Sequence, residues 1–256
     1  MREPRKPGIS HHAPSAHLRS RVAAIQLVVS DGTPVSVLPS SSSVLGFQYS
    51  GRIRAEEGLL STAGVTGLQR GPRRYRYLGE TASVLVRFTP LGSTCLGAPA
   101  DELADKSVPL EGLLSPLLVR QTTERLLEAP DERSRVEVIE RLLARLPWEP
   151  DALVAHALEL LEHMPVARIA RELGLSERQL ERRFRARVGI SPRAFASLRR
   201  FERAVALSKH TASLTELALE AGYYDQSHFN RDFRRFAGTS PTHSLVVSDS
   251  YKSRAR

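Results

Sequence analysis

The sequence predicts an α+β protein, with a β-rich N-terminal domain, trailing helices and an all-α C-terminal domain. Three observations predict it: valine-rich runs in the first 100 residues, leucines at helical spacing from about Leu110, and an excess of positive over negative charge that is confined to the last third. The 256 residues are 41% hydrophobic and 25% charged, which is typical of a globular protein. The length suits one large domain or two modest ones.

Three apolar runs in the first 100 residues contain several valines and are separated by Gly, Pro and Ser. They predict strands at Val22–Val29, Val35–Leu38 and Val84–Phe88. The order of these strands in a sheet does not follow from the sequence. Residues 1–20 contain no comparable apolar run, so we expect them to form a disordered tail.

Helical patterns replace strand patterns after about Leu110. Leucines from Leu113 to Leu127 step along one helical face, and Asp131 is a suitable N-cap for a further helix. The segment Pro147–Pro150 then breaks the chain, and Asp151 can cap the next helix. The predicted domains are a β-rich sensing or assembly domain with trailing helices at 21–147, a C-terminal domain at 151–245 and a basic tail at 246–256.

The positive charge is unevenly distributed along the chain. The formal net charge is +9, and residues 166–256 contain 18 basic and 9 acidic side chains, so they carry the whole excess. The residues before them are neutral overall. This asymmetry favours a neutral domain joined to a domain that binds a polyanion such as nucleic acid.

A sequence repeat occupies this basic third. Residues 169–174 resemble residues 217–222, and residues 180–192 resemble residues 229–241 at their Phe, Gly, Ser and Pro positions. The second copy has one extra residue, which lies just after its first glycine. A repeat of this kind predicts two copies of one structural unit.

The first copy predicts a helix-turn-helix. Its first helix starts near Pro165 and ends at Gly174, because glycine can adopt the left-handed conformation at little steric cost. Ser176 is a suitable N-cap, and Gln179 three residues later favours a capping box. The second helix is therefore predicted at about 176–187, and the pair matches the motif of two helices joined by a short turn with glycine.

The second copy predicts the same motif with a longer turn. Gly222 ends its first helix, and Asp225 caps a second helix at about 225–236. We expect Tyr223 and Tyr224 to pack in the longer turn.

Helical geometry gives each second helix an inner and an outer face, since successive residues turn by about 100°. Leu180, Phe184, Phe229 and Phe233 fall on the inner faces and are expected in the core. Arg, Asn, Gln and Ser on the outer faces suit the edges of bases, with Arg pairing to guanine and Asn or Gln to adenine. The predicted DNA-contacting residues are Arg178, Glu181, Arg182, Arg185, Gln226, Ser227, Asn230, Arg231 and Arg234.

The two copies are joined by a segment that begins at Pro192 and has an apolar stripe. It predicts one helix of about 17 residues, roughly 26 Å long at ~1.5 Å per residue. Successive major grooves on one face of DNA are ~34 Å apart, so this helix could hold two recognition helices in adjacent grooves. The outer faces differ, which predicts an asymmetric DNA site. Arg183, Arg187 and Arg235 beside them are expected to contact phosphate or nothing.

The stretch from Asp151 to Pro241 resembles the DNA-binding domain of the AraC/XylS family of transcription regulators. Its most specific segment is GYYDQSHFNRDFRRFAGTSP at 222–241, which resembles the family signature over its whole length. The resemblance implies readout of bases by the outer positions of both recognition helices. Glu181 fits least well, because phosphates repel a carboxylate unless it accepts from a cytosine amino group or pairs with a neighbouring arginine.

Residues 87–110 resemble, more loosely, an uncharacterised domain found ahead of such modules. In other members of the family a β-rich N-terminal domain senses a small molecule or mediates dimerisation. The resemblance implies double-stranded promoter or operator DNA as the partner. Three further partners stay open: an unidentified small-molecule effector, RNA polymerase and a second copy of the chain. No membrane partner and a cytoplasmic location are expected.

Two alternative functions remain at this point. One is an alkyl-transfer DNA-repair regulator that uses Cys95, and the other is a sequence-independent nucleic-acid binder. An accepting thiolate needs a base or cation to lower its pKa, and Ser93, Thr94 and Leu96 beside Cys95 supply neither. No histidines have metal-ligand spacing and no catalytic motif is present, so no enzyme activity, cofactor or metal site is predicted.

Overall fold

A computed structural model describes residues 7–208, 211 and 213–242. We call residues 7–150 the N-terminal part and residues 151–242 the C-terminal part. The predicted basic tail at 246–256 lies outside the described residues. The α+β architecture is confirmed, with strands in the N-terminal part followed by helices and an all-helical C-terminal part.

The N-terminal part is built on an antiparallel sheet. The strand bounds are β1 Gly8–His12, β2 Val22–Ser30, β3 Val35–Val37, β4 Val44–Ala55, β5 Gly58–Leu59, β6 Ala63–Thr66, β7 Arg73–Phe88 and β8 Ser107–Pro109. The strands run in the order β1-β2-β7-β4-β6-β8, with β3 paired to β7 and β5 paired to β4. The long β4 and β7 pair with each other and lie at the centre.

The tail predicted at residues 1–20 is wrong for residues 8–18. All five residues of β1 pair with β2, and Leu18 is completely buried. Ser15 donates hydrogen bonds of 2.6 Å from its backbone N–H and its hydroxyl to the carboxylate of Glu140. These contacts are distant in sequence, which is why the local composition of the segment did not reveal them.

One short helix precedes the last strand, and the other helices follow the sheet and form the whole described C-terminal part. The helix bounds are α1 Ala100–Leu103, α2 Pro116–Glu128, α3 Glu132–Arg145, α4 Ala152–Leu160, α5 Val166–Glu172, α6 Glu177–Val188, α7 Pro192–Leu207, α8 Leu214–Glu220 and α9 Gln226–Ala237. Asp131 caps α3, accepting a hydrogen bond from the backbone N–H of Ser134 at 2.8 Å, as predicted. Asp151 caps α4 in the same way through Val154.

The buried apolar residues form two clusters. One joins the sheet to α2 and α3, with Phe47 and Phe88 among its largest members. The other lies within the C-terminal part but also takes in Leu68 and Leu91 from the N-terminal part. The two parts therefore share apolar contacts, and burying a large apolar side chain contributes about 1.5–3 kcal/mol.

The parts also meet directly at the first recognition helix. The short helix α1 packs against α6, and a Cβ atom on Gly189, just after α6, would lie 3.1 Å from the carbonyl oxygen of Ala100. This approach is at the C-terminal end of α6. The residues at its N-terminal end, such as Arg178 and Arg182, remain exposed.

Candidate nucleic-acid interface

The turn of the first helix-turn-helix has the predicted geometry. Gly174 follows α5 with a left-handed φ of +68°. The backbone N–H of Leu175 donates to the carbonyl of Ala170 at 2.8 Å, and that of Gly174 donates to Arg171 at 3.1 Å. This pair of bonds is the Schellman arrangement, which satisfies carbonyl groups at the end of a helix.

The first recognition helix α6 begins with the predicted capping box. Ser176 accepts from the backbone N–H of Gln179, and the Gln179 side chain accepts from the backbone N–H of Ser176 at 2.9 Å. Two backbone donors at the helix start are thereby satisfied. The helix then ends at Gly189, which is left-handed.

The second motif repeats this geometry. Gly222 has a φ of +89°, and its Schellman bonds run from Tyr223 to Ala218 at 2.9 Å and from Gly222 to Leu219 at 3.0 Å. Asp225 caps α9 by accepting from the backbone N–H of His228 at 2.6 Å. The same backbone device thus positions both recognition helices.

In the second turn, which is one residue longer, the two neighbouring tyrosines differ in exposure. Tyr223 is only 3% exposed and contacts the rings of His228 and Phe229. Tyr224 is 88% exposed, so the prediction that both tyrosines pack is wrong for this residue. Tyr224 immediately precedes the cap of α9 and lies beside the start of that recognition helix.

The inner faces of both recognition helices are in the core, as predicted. Leu180, Phe184, Phe229 and Phe233 are all completely buried. Phe184 packs edge-on against Phe195 of α7 at 5.6 Å between ring centroids. A role for these rings in stacking on bases is therefore excluded in this conformation.

The outer face of α6 is exposed at every predicted position: Arg178, Glu181, Arg182 and Arg185. Glu181 accepts from Arg185 at 2.7 and 3.1 Å, so the carboxylate is neutralised by its own helix. Arg178 and Arg182 form no ion pair with any residue that the structure describes. Two free guanidinium groups therefore project from this face.

The outer face of α9 is less uniformly exposed. Ser227, Arg231 and Arg234 are exposed, whereas Gln226 and Asn230 are partly buried. The Gln226 side-chain oxygen accepts from the Thr215 hydroxyl at 2.8 Å, which leaves its amide NH2 group as the donor.

Asn230 presents a different kind of polar group. Its side-chain oxygen is buried and has no hydrogen-bond partner among the described residues. Leaving a buried acceptor unpaired costs about 1–3 kcal/mol. An external donor reaches this oxygen only if the side chain turns outward, and asparagine pairs with adenine in DNA through such an exposed amide.

Three arginines beside these faces have partners inside the protein. Arg183 and Arg187 contact the Asp151 carboxylate at 2.6 and 3.6 Å. Burial alone would raise the pKa of Asp151, but the hydrogen bond from Arg183, the Val154 N–H and the charges of Arg183 and Arg187 lower it below its ordinary value. These two arginines therefore anchor α6 to the start of α4, a contact that sequence spacing did not reveal.

The third of these arginines belongs to a network between α7 and α9. Asp232 is buried and accepts a 2.5 Å hydrogen bond from the Ser197 hydroxyl. Arg235 donates to Ser197 at 2.9 Å and lies 3.4 Å from the Asp232 carboxylate. The network fixes the second recognition helix to the linking helix.

The linking helix α7 has 16 residues, close to the predicted 17, and is capped by Ser191. At ~1.5 Å per residue it is about 24 Å long. Its buried phenylalanines contact both motifs: Phe195 packs on Phe184, and Phe201 packs on Phe233 at 5.3 Å. One rigid helix thus carries both recognition helices.

Cys95 lacks the surroundings of a reactive thiol. It is 3% exposed, and burial raises its pKa to about 11, against the weaker opposing effect of the Arg21 charge. A neutral thiol is a poor nucleophile. Among the described residues no cluster of three or more His, Cys, Asp or Glu side chains could hold a metal ion, and no helix has the length and apolar character to cross a membrane.

The fold and the two exposed faces define a double helix-turn-helix domain. Residues 169–245 match the family described as "Helix-turn-helix domain". The HTH-type transcriptional regulator MtrA of Neisseria gonorrhoeae is 31% identical over 100 residues, which cover 37% of this chain and 33% of that protein. The HTH-type transcriptional regulator ArgR of Pseudomonas aeruginosa is 29% identical over 138 residues, which cover 54% of this chain and 41% of that protein.

A solved structure of ToxT from Vibrio cholerae aligns with 87% of this chain and 98% of its own at 11% identity and a TM-score of 0.48. The chain spans about a third to two fifths of the length of the two curated relatives above. The match to the helix-turn-helix family lies in the last third of the chain, at residues 169–245.

Proposed function

We propose that the protein is a sequence-specific DNA-binding regulator of transcription. The observation that carries the proposal is the duplicated motif, in which one linking helix holds two capped recognition helices with different polar outer faces. The N-terminal residues of a recognition helix are those that reach bases in the major groove. In this chain those residues are polar and exposed or partly exposed in both copies.

We assign direct readout to the side chains near the start of each recognition helix. Arg178 and Arg182 of α6 and Arg231 of α9 suit bidentate contacts to guanine, and Gln226 and Asn230 suit adenine. The partial exposure of Gln226 and Asn230 at the first turns of α9 supports this assignment.

Glu181 and Arg185 have a supporting role in this scheme. Their contact removes the isolated negative charge that phosphates would repel. It also orients the Arg185 guanidinium, and an arginine held in one geometry loses less entropy on binding. Arg234, on the later part of α9, is assigned to the phosphate backbone.

The contents of the two outer faces differ, so the DNA site is proposed to be asymmetric. One chain would contact two adjacent major grooves, since α7 is about 24 Å long and the grooves are ~34 Å apart.

We also propose that the N-terminal part regulates this DNA-binding activity, through a small-molecule effector or a second copy of the chain. The supporting observations are its contacts with two helices of the helical domain: α1 lies against α6, and Ser41 hydrogen-bonds to Glu202 of α7. A change in the N-terminal part would reach the recognition helices through these contacts.

Selection of binding sequences from random duplexes by the full chain tests the proposal. The expected result is a bipartite, non-palindromic site that binds at least about 10³-fold more tightly than a scrambled duplex at physiological salt. Equal affinity for both duplexes, with a steep salt dependence, would instead identify a sequence-independent binder. The triple variant Arg120→Gln, Arg125→Gln, Arg141→Gln lowers the net charge by three at exposed positions of α2 and α3, away from the recognition helices. It should select the same DNA site as the unmodified chain, which would show that the preference does not come from net charge.

A further inference from the structure

A second arginine-rich surface lies in the N-terminal part, on a three-stranded ribbon. The ribbon consists of β3, the first half of β7 and the second half of β4. Arg54 pairs with Arg76 and Arg52 with Leu78 across β4 and β7, and Ser36 of β3 pairs with Arg74. Residues paired across antiparallel strands project from the same face.

The two faces of this ribbon differ in composition. Ile53 and Ala55 on the opposite face are buried, as is Arg73, which forms an ion pair with Glu57. The arginines that alternate along the strands with these buried residues project from the other face and are exposed. We call this surface the arginine face, which consists of Arg52, Arg54, Arg74 and Arg76.

The arginine face is not neutralised by the protein. None of its four side chains forms an ion pair with any residue that the structure describes. The nearest acids along the strands, Glu56 and Glu80, do not contact it either. Like charges directly opposite on paired strands are destabilising, and Arg54 stands directly opposite Arg76. Bound anions would relieve this repulsion.

The ribbon is attached next to the second recognition helix. A Cβ atom on Gly238, which ends α9, would lie 3.5 Å from Cγ of Pro72, the residue before β7. Leu38, just after β3, packs on the apolar cluster of the C-terminal part. The ribbon therefore begins beside the C-terminal end of α9, the second recognition helix.

We propose that the arginine face binds the phosphate backbone of the same DNA duplex, outside the bases that α9 reads. The inference rests on the proposed function and adds a contact from outside the helix-turn-helix domain. Arginine often binds a phosphate group through two parallel N–H···O hydrogen bonds, and it is enriched at sites that recognise phosphate in this way. The face is an unsuitable interface between two copies of this chain, because a symmetric contact would place its arginines against one another.

Leu59 and Leu78 lie on the same face, opposite Arg54 and Arg52. They are 47% and 42% exposed. A surface of arginine and leucine would also suit an anionic membrane, so the experiment includes a membrane arm. DNA is the better occupant because the adjoining α9 already presents DNA-binding side chains.

The test compares a ribbon variant with a control of equal charge. The ribbon variant carries Arg52→Gln, Arg54→Gln, Arg74→Gln and Arg76→Gln. The control carries Arg120→Gln, Arg125→Gln, Arg141→Gln and Arg145→Gln, all exposed on α2 and α3. A third variant replaces the four ribbon arginines with lysine. Circular dichroism and thermal unfolding establish that each variant is folded, and the double variant Arg54→Gln, Arg76→Gln serves if the fourfold change is not tolerated.

The readouts are the salt dependence of DNA affinity and hydroxyl-radical footprints of the full chain on its selected site. Each phosphate contact contributes about 0.9 to the slope of log affinity against log salt. The ribbon variant should therefore flatten the slope by roughly two to four and lose backbone protection flanking the α9 half-site. The control and the lysine variant should retain both.

Each other outcome contradicts the inference in a distinguishable way. If the ribbon variant keeps the wild-type slope and footprint, the arginine face does not contact DNA, while the proposed function stands. If it loses binding to phosphatidylcholine–phosphatidylserine vesicles but not to DNA, the face binds membranes. If the unmodified chain shows no sequence preference at all, the proposed function fails and the inference fails with it.

Discussion

The carboxylate of Glu202 accepts two hydrogen bonds from Ser41, one from its backbone N–H and one from its hydroxyl, each 2.8 Å long. Ser41 lies after β3 in the N-terminal part and is 5% exposed, whereas Glu202 lies on the linking helix α7. The contact joins the sheet to the helix that carries both recognition helices.

A double-mutant cycle with Ser41→Ala and Glu202→Gln should measure this link. Hydrogen bonds to a charged group contribute about 1.5–3 kcal/mol, so the two changes should be coupled by about 1 kcal/mol or more in urea unfolding of the full chain. Arg199→Gln is the control, because its ion pair with Glu202 is partly exposed and such pairs contribute little. Additive effects of the two changes would contradict the geometry.

Substitutions of two adjacent arginines of α9 should have different effects, one mainly on DNA binding and the other on the free energy of unfolding. Arg234 is exposed and has no partner among the described residues, so Arg234→Ala should change the free energy of unfolding by less than about 0.5 kcal/mol and weaken DNA binding. Arg235→Ala removes the contacts to Ser197 and Asp232 and should cost about 1–2 kcal/mol. Denaturant unfolding and fluorescence anisotropy on one duplex check both. Equal stability of the two variants would remove the assigned role of Arg235.

Neighbouring tyrosines in the second turn should also behave differently. Tyr223→Ala should destabilise the protein by about 3 kcal/mol, since it deletes a buried ring. Tyr224→Ala should leave stability unchanged within about 0.5 kcal/mol, because the side chain is almost fully exposed. Thermal unfolding distinguishes them, and a similar loss in both variants would mean that the extra turn residue is placed differently.

Cys95 should resist alkylation in the folded protein. Burial raises its pKa from 9.0 to about 11, so at pH 8 its thiolate fraction should be about a hundredfold lower than in the unfolded chain. Iodoacetamide labelling with and without guanidinium, followed by mass spectrometry, measures the difference. Rapid labelling of the native protein at pH 8 would revive the alkyl-transfer alternative.

The same shift predicts a pH dependence of stability. The folded state holds the thiol proton more tightly than the unfolded state, so this contribution is fully present below about pH 9. It is lost as the pH rises from about 9 toward 11. Cys95→Ala should remove this component of the alkaline loss of stability, and an unchanged profile would contradict the raised pKa.

The sequence predicted the helix-turn-helix units well because their determinants are local. Gly174, Ser176 and Asp225 act on backbone groups within a few residues, so their chemistry can be read along the chain. The inner positions of α6 and α9 follow from helical periodicity alone. The site assignment for Arg178, Arg182 and Arg231 remains a prediction, supported by their exposure.

Contacts between distant segments were not predictable in the same way. The long β4 was missed because Gly46, Gln48, Ser50 and Gly51 interrupt its apolar residues. The predicted strand Val84–Phe88 is only the end of β7. The sequence predicted Asp151 only as a helix cap, whereas in the structure its carboxylate also forms ion pairs with Arg183 and Arg187. Each of these features depends on the folding of residues that are far apart in sequence.

The central claim is that each recognition helix reads its own half of one asymmetric site. The most direct test is to determine base preferences at every position of the selected site for the full chain and for Arg182→Ala and Arg231→Ala. Each substitution should relax preference at one or two positions by about 1–3 kcal/mol, with the affected positions about one helical turn apart. Uniform weakening at all positions in both variants, or loss of preference in the same half-site, would contradict the account.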